Sequence, residues 1–363
     1  MKKIIIILFL FFPLFAFAQT EAKDAYFKAE VTKVTTQEEN ILPDGTEVIQ
    51  QNLLLRGMDG GYKNKEVEFN GIGGFDVVGK NIYKEGDKVL VVESFDAEGN
   101  SVFYVTDYVR TGAIFWLSVA FVLFLLAVGG FKGLRSIISL VLTFVVIIKY
   151  IIPQILSGAD PIFVTIIGSF LILLIIIYVT EGFQKLSHIS IVSIFFSLLI
   201  TVFVSWFFVE LAKLTGVFSE DISYLVNIGG DVINFKGLLL AGIIIGTLGV
   251  LDDVVIAQAA TVEEISKANL AFSRKEVFKR SYKVGISHIA SMTNTLFLAY
   301  AGVSLPLLIL FLSGKSAFAS WTQIINNEAI TTEIVRTLSG SIGLILAVPI
   351  STLIATWWYK KQK

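Results

Sequence analysis

Cysteine is absent from the 363-residue chain, and histidine occurs only twice, at His188 and His288. The absence of cysteine excludes disulfides, thiolate chemistry and cysteine-ligated metals, and two histidines are too few for a histidine-rich metal cage. Charged residues make up only 16% of the chain, and the formal net charge is −1. Nucleic-acid binding calls for a basic patch, which this charge balance argues against. The sequence therefore predicts no metal site, no cofactor and no nucleic-acid partner.

Hydrophobic residues make up 55% of the chain, which is too high a share for a soluble protein of this length. Nearly all of the long apolar runs lie between Ala113 and Trp358, whereas residues 19–111 have the composition of a soluble domain. The sequence therefore predicts an integral membrane protein whose main partner is the lipid bilayer.

The first 18 residues have the three parts of a secretory signal peptide. Lys2 and Lys3 precede an apolar run from Ile4 to Phe17, and Ala16-Phe17-Ala18 supplies the cleavage site. An uncleaved first helix is the alternative, although this apolar run is short for a membrane span. Cleavage after Ala18 would place the residues that follow outside the cytoplasm.

Residues 19–111 alternate apolar and polar positions in the manner of β-strands. Turn-forming residues separate five predicted strands, which are Tyr26–Val34, Val48–Leu55, Lys65–Phe69, Lys88–Glu93 and Val102–Val109. Five short strands favour a small extracytoplasmic barrel of OB or SH3-like type, with a small sandwich as the alternative. Such a domain would either bind a partner in a groove or cap the membrane domain.

Seven apolar segments follow, each able to cross a hydrocarbon core of ~30 Å at ~1.5 Å per residue, the shorter two only just. They are Ala113–Gly130, Ser136–Ile152, Pro161–Thr180, Ile189–Leu211, Phe235–Ala257, Gly285–Leu312 and Ile334–Trp358. The predicted organisation is thus a β domain over residues 19–111, a transmembrane helical domain over residues 112–358 and a cytoplasmic tail over residues 359–363.

Loop charge gives the orientation. With the β domain outside, the inner loops carry twelve Lys and Arg residues and the outer loops three, in agreement with the positive-inside rule. The predicted location is a bacterial inner membrane, with the C-terminus in the cytoplasm. The longest inner loop, Thr261–Val284, is either an amphipathic helix on the membrane face or a solvated connector.

Polar residues inside membrane segments are functional candidates because they are costly in hydrocarbon. Asp252 and Asp253 lie near the inner end of the fifth segment, and Gln258 prolongs this polar stripe. Neighbouring residues point about 100° apart on a helix, so only one of the two carboxylates is expected to face the bundle. The candidates on the sixth segment are His288, Ser291, Asn294, Thr295 and Tyr300.

Asp252 and His288 are expected at similar depth on consecutive segments, which predicts an acid–imidazole pair. Such a pair, followed by hydroxyls and an amide, is typical of a proton or cation pathway, or of a polar network that locks two helices together. Gly242, Gly246 and Gly249 are predicted to be helix-packing positions. Arg336 is expected to pair with Glu333 or with an acidic residue of an outer loop.

The sequence resembles the YibE/F family of bacterial multi-pass membrane proteins. The matching stretches are Gly246–Val254, His288–Ser291, Asn294–Leu296, Ala299–Gly302, Arg336–Leu344 and Ala347–Pro349. They occur in the order and spacing of the family and extend the resemblance over most of residues 110–358. The resemblance implies a multi-pass helical fold in the membrane and no particular reaction. The chain departs from it at Ile286-Ser287, where members often carry an Arg-Asp pair.

Three functions are compatible with these features. The polar residues at Asp252, Asp253, His288 and Asn294 favour a transporter or permease for an ion or small solute. The alternative is a non-transporting envelope assembly or scaffold protein, which would bind an extracytoplasmic protein partner or form a homo-oligomer. An intramembrane enzyme is the least favoured, since the sequence has no nucleophile–base motif, no P-loop and no GxSxG.

Overall fold

The computed structural model describes residues 26–41, 47–72, 81–96, 98–229, 232–313 and 320–360. The predicted signal peptide and residues 361–363 of the predicted tail lie outside the described residues. The chain divides into two compact units, Met1–Ala127 and Val128–Lys363. Each unit has its own hydrophobic core.

The N-terminal unit contains all five predicted strands. They are β1 (Tyr26–Ile41), β2 (Glu47–Gly57), β3 (Glu66–Asn70), β4 (Lys88–Phe95) and β5 (Ser101–Tyr108). The strands form one antiparallel sheet in the order β3-β2-β1-β4-β5. Alternate side chains point to one face and form the core of this unit, as the period of two requires.

The sheet is open in the described residues, because no hydrogen-bonded ladder joins its edge strands β3 and β5. The sheet confirms the antiparallel β domain, and its OB or SH3-like barrel type stays a prediction. Strand number and alternation, on which the prediction rested, do not determine whether the two edges of a sheet pair with each other.

The second part of the chain is helical. Its elements are α1 (Thr111–Val146), a π-helical turn (Ile147–Ile151), α2 (Ile152–Leu156), α3 (Pro161–Thr180), α4 (Lys185–Leu211), α5 (Glu220–Gly229), α6 (Phe235–Ala268), α7 (Arg274–Val303), α8 (Leu305–Leu312), α9 (Trp321–Ile325) and α10 (Glu328–Tyr359). Side-chain caps begin several of them; the Asp160 carboxylate, for example, accepts a hydrogen bond from the Phe163 amide at the start of α3.

The described residues contain five helical segments long and apolar enough to span a membrane, or six if a bent pair counts as one span. The predicted number of seven stays a prediction, because the first two predicted segments lie in one apolar helical stretch, Thr111–Leu156. Its helical geometry is interrupted at Gly130, whose φ of 53° is outside the helical region. The bent pair is α7 and α8, which meet at an angle of 65°.

The connection predicted between Thr261 and Val284 is mostly helical. Helix α6 continues to Ala268 and α7 begins at Arg274. A capping box fixes the start of α7, since Ser273 and Glu276 bond reciprocally to each other's backbone amides. Neither a separate amphipathic helix nor a long solvated connector is present, because the two spanning helices themselves extend into this region.

Helices α4, α6 and α10 pack against one another at the centre of the helical unit. Gly343 of α10 stands directly against Thr201 of α4, whose Oγ1 would clash with an added Cβ. Small residues at such crossings let helix backbones approach closely, and this packing stabilises helix association in a membrane.

We predict that Gly343→Ala destabilises the helical unit, since the new methyl group would push α4 and α10 apart. Overpacking of this kind typically costs about 1–3 kcal/mol. The melting temperature of the purified protein in detergent should fall, whereas Gly302→Ala, where a Cβ meets nothing within 4 Å, serves as the matched control. An equal loss in the two variants would show that the close approach at Gly343 is not the cause.

Candidate polar site in the helical unit

Asp252 and Asp253 occupy different surroundings on α6. Asp252 is buried, with 9% of its surface exposed, whereas Asp253 is exposed. The offset of about 100° between neighbouring helical residues accounts for this difference. Only Asp252 therefore enters the helical bundle.

The Asp252 carboxylate has one hydrogen-bond donor, the backbone amide of Asp253 at 3.0 Å from Oδ1. Its neighbours on the same side of α6 are the buried residues Leu248 and Val255. Within the described ranges, no Lys, Arg or His side chain forms an ion pair with it. Burying a carboxylate without a compensating charge is costly, so Asp252 is the residue of this unit that most requires a functional explanation.

The predicted pair of Asp252 with His288 is wrong, because the structure leaves the two side chains apart. Val250 and Val254 of α6 pack with Ile289 and Met292 of α7. Asp252 lies two residues from each valine, or about 200° around the helix at 3.6 residues per turn, so it points away from α7. The imidazole of His288 is itself exposed.

The other candidates on α7 also lie mainly outside the bundle. Ser291, Asn294 and Thr295 are exposed, and Oγ1 of Thr295 donates to the carbonyl of Ser291 at 3.1 Å. Only Tyr300 approaches α6: its hydroxyl lies 3.0 Å from where a Cβ on Gly246 would stand. The structure therefore does not bring the predicted site residues of α6 and those of α7 together into one site.

The predicted helix-packing glycines differ from one another. A Cβ added at Gly242 or Gly249 would meet nothing within 4 Å among the described residues, so neither glycine marks a close helix contact there. Their role in helix packing stays a prediction. Spacing on one face identified the glycine row correctly but could not show what the row faces.

Gln258 joins three helices. Its side chain is fully buried, and Nε2 donates to the Ser281 carbonyl of α7 at 3.0 Å and to Oγ1 of Thr352 on α10 at 2.7 Å. Gly285 lies beside the amide, where a Cβ would come within 2.8 Å of Oε1 of Gln258. Gln258 thus holds α6, α7 and α10 together.

A row of buried hydroxyls on α4 was missed by the sequence analysis. Its members are all fully buried and are spaced by three or four residues: Ser187, Ser190, Ser193, Ser197, Thr201 and Ser205. Ser193, Ser197 and Thr201 each donate to the carbonyl four residues earlier in the same helix. The helical spacing of these residues in the sequence was the signal that could have revealed the row.

An ion pair lies in the half of α10 nearer to its start. Nη1 of Arg336 is 2.7 Å from Oε1 of Glu333, and both side chains are largely buried. This confirms the first of the two partners predicted for Arg336. The described residues contain no group of three or more His, Cys, Asp and Glu side chains placed to hold a metal ion.

The long apolar helices, with polar side chains buried between them, define a polytopic α-helical membrane protein. The sequence model of the YibE/F-like protein family matches residues 117–361, which is more than half of the chain, so the chain belongs to this family. No curated protein and no solved structure matches the chain significantly.

We predict that Gln258→Leu loosens the contact among α6, α7 and α10. Hydrogen bonds between membrane helices contribute about 0.6 kcal/mol on average and up to about 1.7 kcal/mol, so the loss of two bonds should lower the melting temperature measurably. Gln154→Leu is the control, since Gln154 is exposed. A melting temperature that falls no further than in the control would contradict the role of Gln258.

Proposed function

We propose that the protein is a transporter or permease for an ion or small solute, and that Asp252 binds the transported or coupling cation. The observation that carries the proposal is the burial of the Asp252 carboxylate in an apolar span without an ion-pair partner in the described residues. A proton or a small cation would supply the missing positive charge. Intramembrane carboxylates in pumps and transporters commonly have this role.

The hydroxyl row of α4 supports the proposal. Hydroxyl oxygens are ligands for hard cations and relays for protons. Ser190 and Ser205 have buried hydroxyls without a hydrogen-bond partner among the described residues, so they have free capacity for a water molecule or a cation. The remaining hydroxyls have lone pairs beyond the bond that each donates.

The proposed topology follows from the charge of the loops. The β unit would lie outside the cytoplasm and the C-terminus inside, in a bacterial inner membrane, as the positive-inside rule favours. Asp252 would then lie ~26 Å from the outer end of α6, counted from Phe235 at ~1.5 Å per residue. In a core of ~30 Å this is near the cytoplasmic mouth, where a bound proton or cation is released to the interior.

We expect Asp252→Asn to abolish cation flux, because the amide keeps the size of the side chain and removes its charge. Purified protein in liposomes would be tested with an imposed pH gradient and, separately, with K⁺ and Na⁺ gradients, read by dyes inside the vesicles. Glu264→Gln is the matched control, since Glu264 is an acid on the same helix whose side chain is 76% exposed.

Flux that persists in Asp252→Asn at the level of the unaltered protein would reject the proposed site. Flux that is absent in the unaltered protein under every gradient would reject cation transport itself.

The alternative is a non-transporting scaffold, and one feature of the β unit favours it. Tyr26 of β1 pairs with Val92 of β4, which pairs with Tyr104 of β5, so the three side chains lie in a row on one face. Both tyrosines are exposed, at 49% and 38%. Such rows of aromatic residues are enriched at protein interfaces, and a partly open five-stranded barrel of OB type would present them in a groove.

Two variants separate the alternatives in cells. If the protein is a scaffold, Tyr26→Ser with Tyr104→Ser should reproduce the phenotype of deleting the gene, while Asp252→Asn should be tolerated. If the protein is a transporter, the opposite result is expected. Membrane levels of both variants, measured by immunoblot, would show that neither effect comes from loss of the protein. We propose no enzymatic activity.

A further inference from the structure

Helix α7 presents polar side chains on a face that the described residues of the chain do not cover. His288, Ser291, Asn294 and Thr295 are all exposed, and they lie within the bent pair of helices that is long enough to span the membrane. We call these four residues the polar face of α7. Hydrocarbon offers such groups no hydrogen-bond partners, so polar side chains at membrane depth almost always face protein or water rather than lipid.

Helix α6 presents a complementary surface that the described residues leave largely uncovered, with Tyr300 of α7 approaching it only at Gly246. Gly242, Gly246, Gly249 and Asp253 are spaced at i, i+4, i+7 and i+11, so they share one side of the helix, and all four are exposed. We call them the glycine face of α6. Small-residue rows of this kind receive another helix at close distance, yet the described chain places nothing within 4 Å of a Cβ at Gly242 or Gly249.

The two faces lie at matching depth. Gln258 contacts Ser281 and borders Gly285, which sets the level of α6 against α7. From that level Asp253 lies about 7–8 Å along α6, and His288 about 4–5 Å along α7 in the same direction. The acid and the imidazole are therefore within about 3 Å of the same depth. Within one chain, however, no ion pair joins them.

We infer that the polar face of α7 in one copy of the chain packs on the glycine face of α6 in a second copy, with His288 against Asp253. The partner is a second copy of the chain because one chain carries both surfaces. They are the glycine face of α6, which includes Asp253, and the polar face of α7, which includes His288. A rotation axis along the membrane normal keeps every residue at its own depth, as the matching levels require. The assembly covers the polar groups that the described residues of a single copy leave exposed. This inference does not depend on transport.

The absence of cysteine makes the interface directly testable by crosslinking. Copies carrying Gly249→Cys and copies carrying Asn294→Cys, with different tags, would be co-expressed and treated in native membranes with a short thiol-specific crosslinker. We expect a crosslinked species that contains both tags. The control pair is Leu199→Cys with Ile345→Cys, at positions that are 39% and 40% exposed on α4 and α10, share a level beside the Thr201–Gly343 contact and lie outside the proposed interface.

A charge exchange tests the contact between His288 and Asp253. Asp253→His and His288→Asp should each reduce crosslinking between Gly249→Cys and Asn294→Cys copies several-fold, because each creates a pair of like groups at the interface. The double variant restores one acid and one imidazole and should recover the crosslinked yield.

Two results would overturn the inference. The first is a Gly249–Asn294 pair that crosslinks no more than the control pair, which would mean that lipid or a different protein covers these faces. The second is a double variant that crosslinks as poorly as the single variants. Because the readout is a covalent link between copies, the outcome is independent of whether Asp252 carries flux.

Discussion

The helical unit is governed by the inability of hydrocarbon to satisfy polar groups. Every hydroxyl, amide and carboxylate inside a span must find its partner in protein, in water or in a bound ligand. Ser193, Ser197 and Thr201 of α4 meet this requirement through backbone carbonyls of their own helix, and the amide nitrogen of Gln258 meets it through α7 and α10. Arg336 and Glu333 meet it in part with each other, through Nη1 and Oε1. Among the described residues the requirement is left unmet at single atoms, such as the Ser190 and Ser205 hydroxyls, and at two places of greater charge or extent, Asp252 and the polar face of α7.

These two exceptions have different physical characters. Asp252 is enclosed by the bundle and lacks a compensating charge, so what it requires is small enough to enter between helices. The polar face of α7 is open along about two turns, so what it requires is a surface of similar length. The surroundings of Asp252 suit a small cation or solute, and the polar face of α7 suits a macromolecule. The acid–imidazole pair predicted from the sequence joined them into one site because the two residues share a depth.

The depth of each polar residue along its helix was predictable from the sequence. The direction in which its side chain points around the helix was not. Periodicity and hydropathy gave the five strands and the ranges of the long apolar helices, because those signals are local. The number of spans stays a prediction, because the helix of the apolar stretch Thr111–Leu156 is interrupted at Gly130. The rotation of α6 and α7 about their axes depends on which neighbours they pack against, and Val250 and Val254, which set it for α6, are unremarkable apolar residues. The hydroxyl row of α4 was within reach of the sequence, since its spacing is helical throughout.

The self-contained bonding of the α4 hydroxyls has a mechanical consequence. Ser193, Ser197 and Thr201 are each hydrogen-bonded to a carbonyl of their own helix. A displacement of α4 relative to α10 would therefore exchange none of these bonds. Gln258 has the opposite effect, because α6, α7 and α10 cannot separate unless its amide gives up both acceptors. Shear between packed helices is one of the small repertoire of motions by which proteins change state. Gln258 thus ties α6, α7 and α10 into one block, whereas α4 is held to that block by packing, and any shear of α4 would have to move Thr201 out of its contact with Gly343.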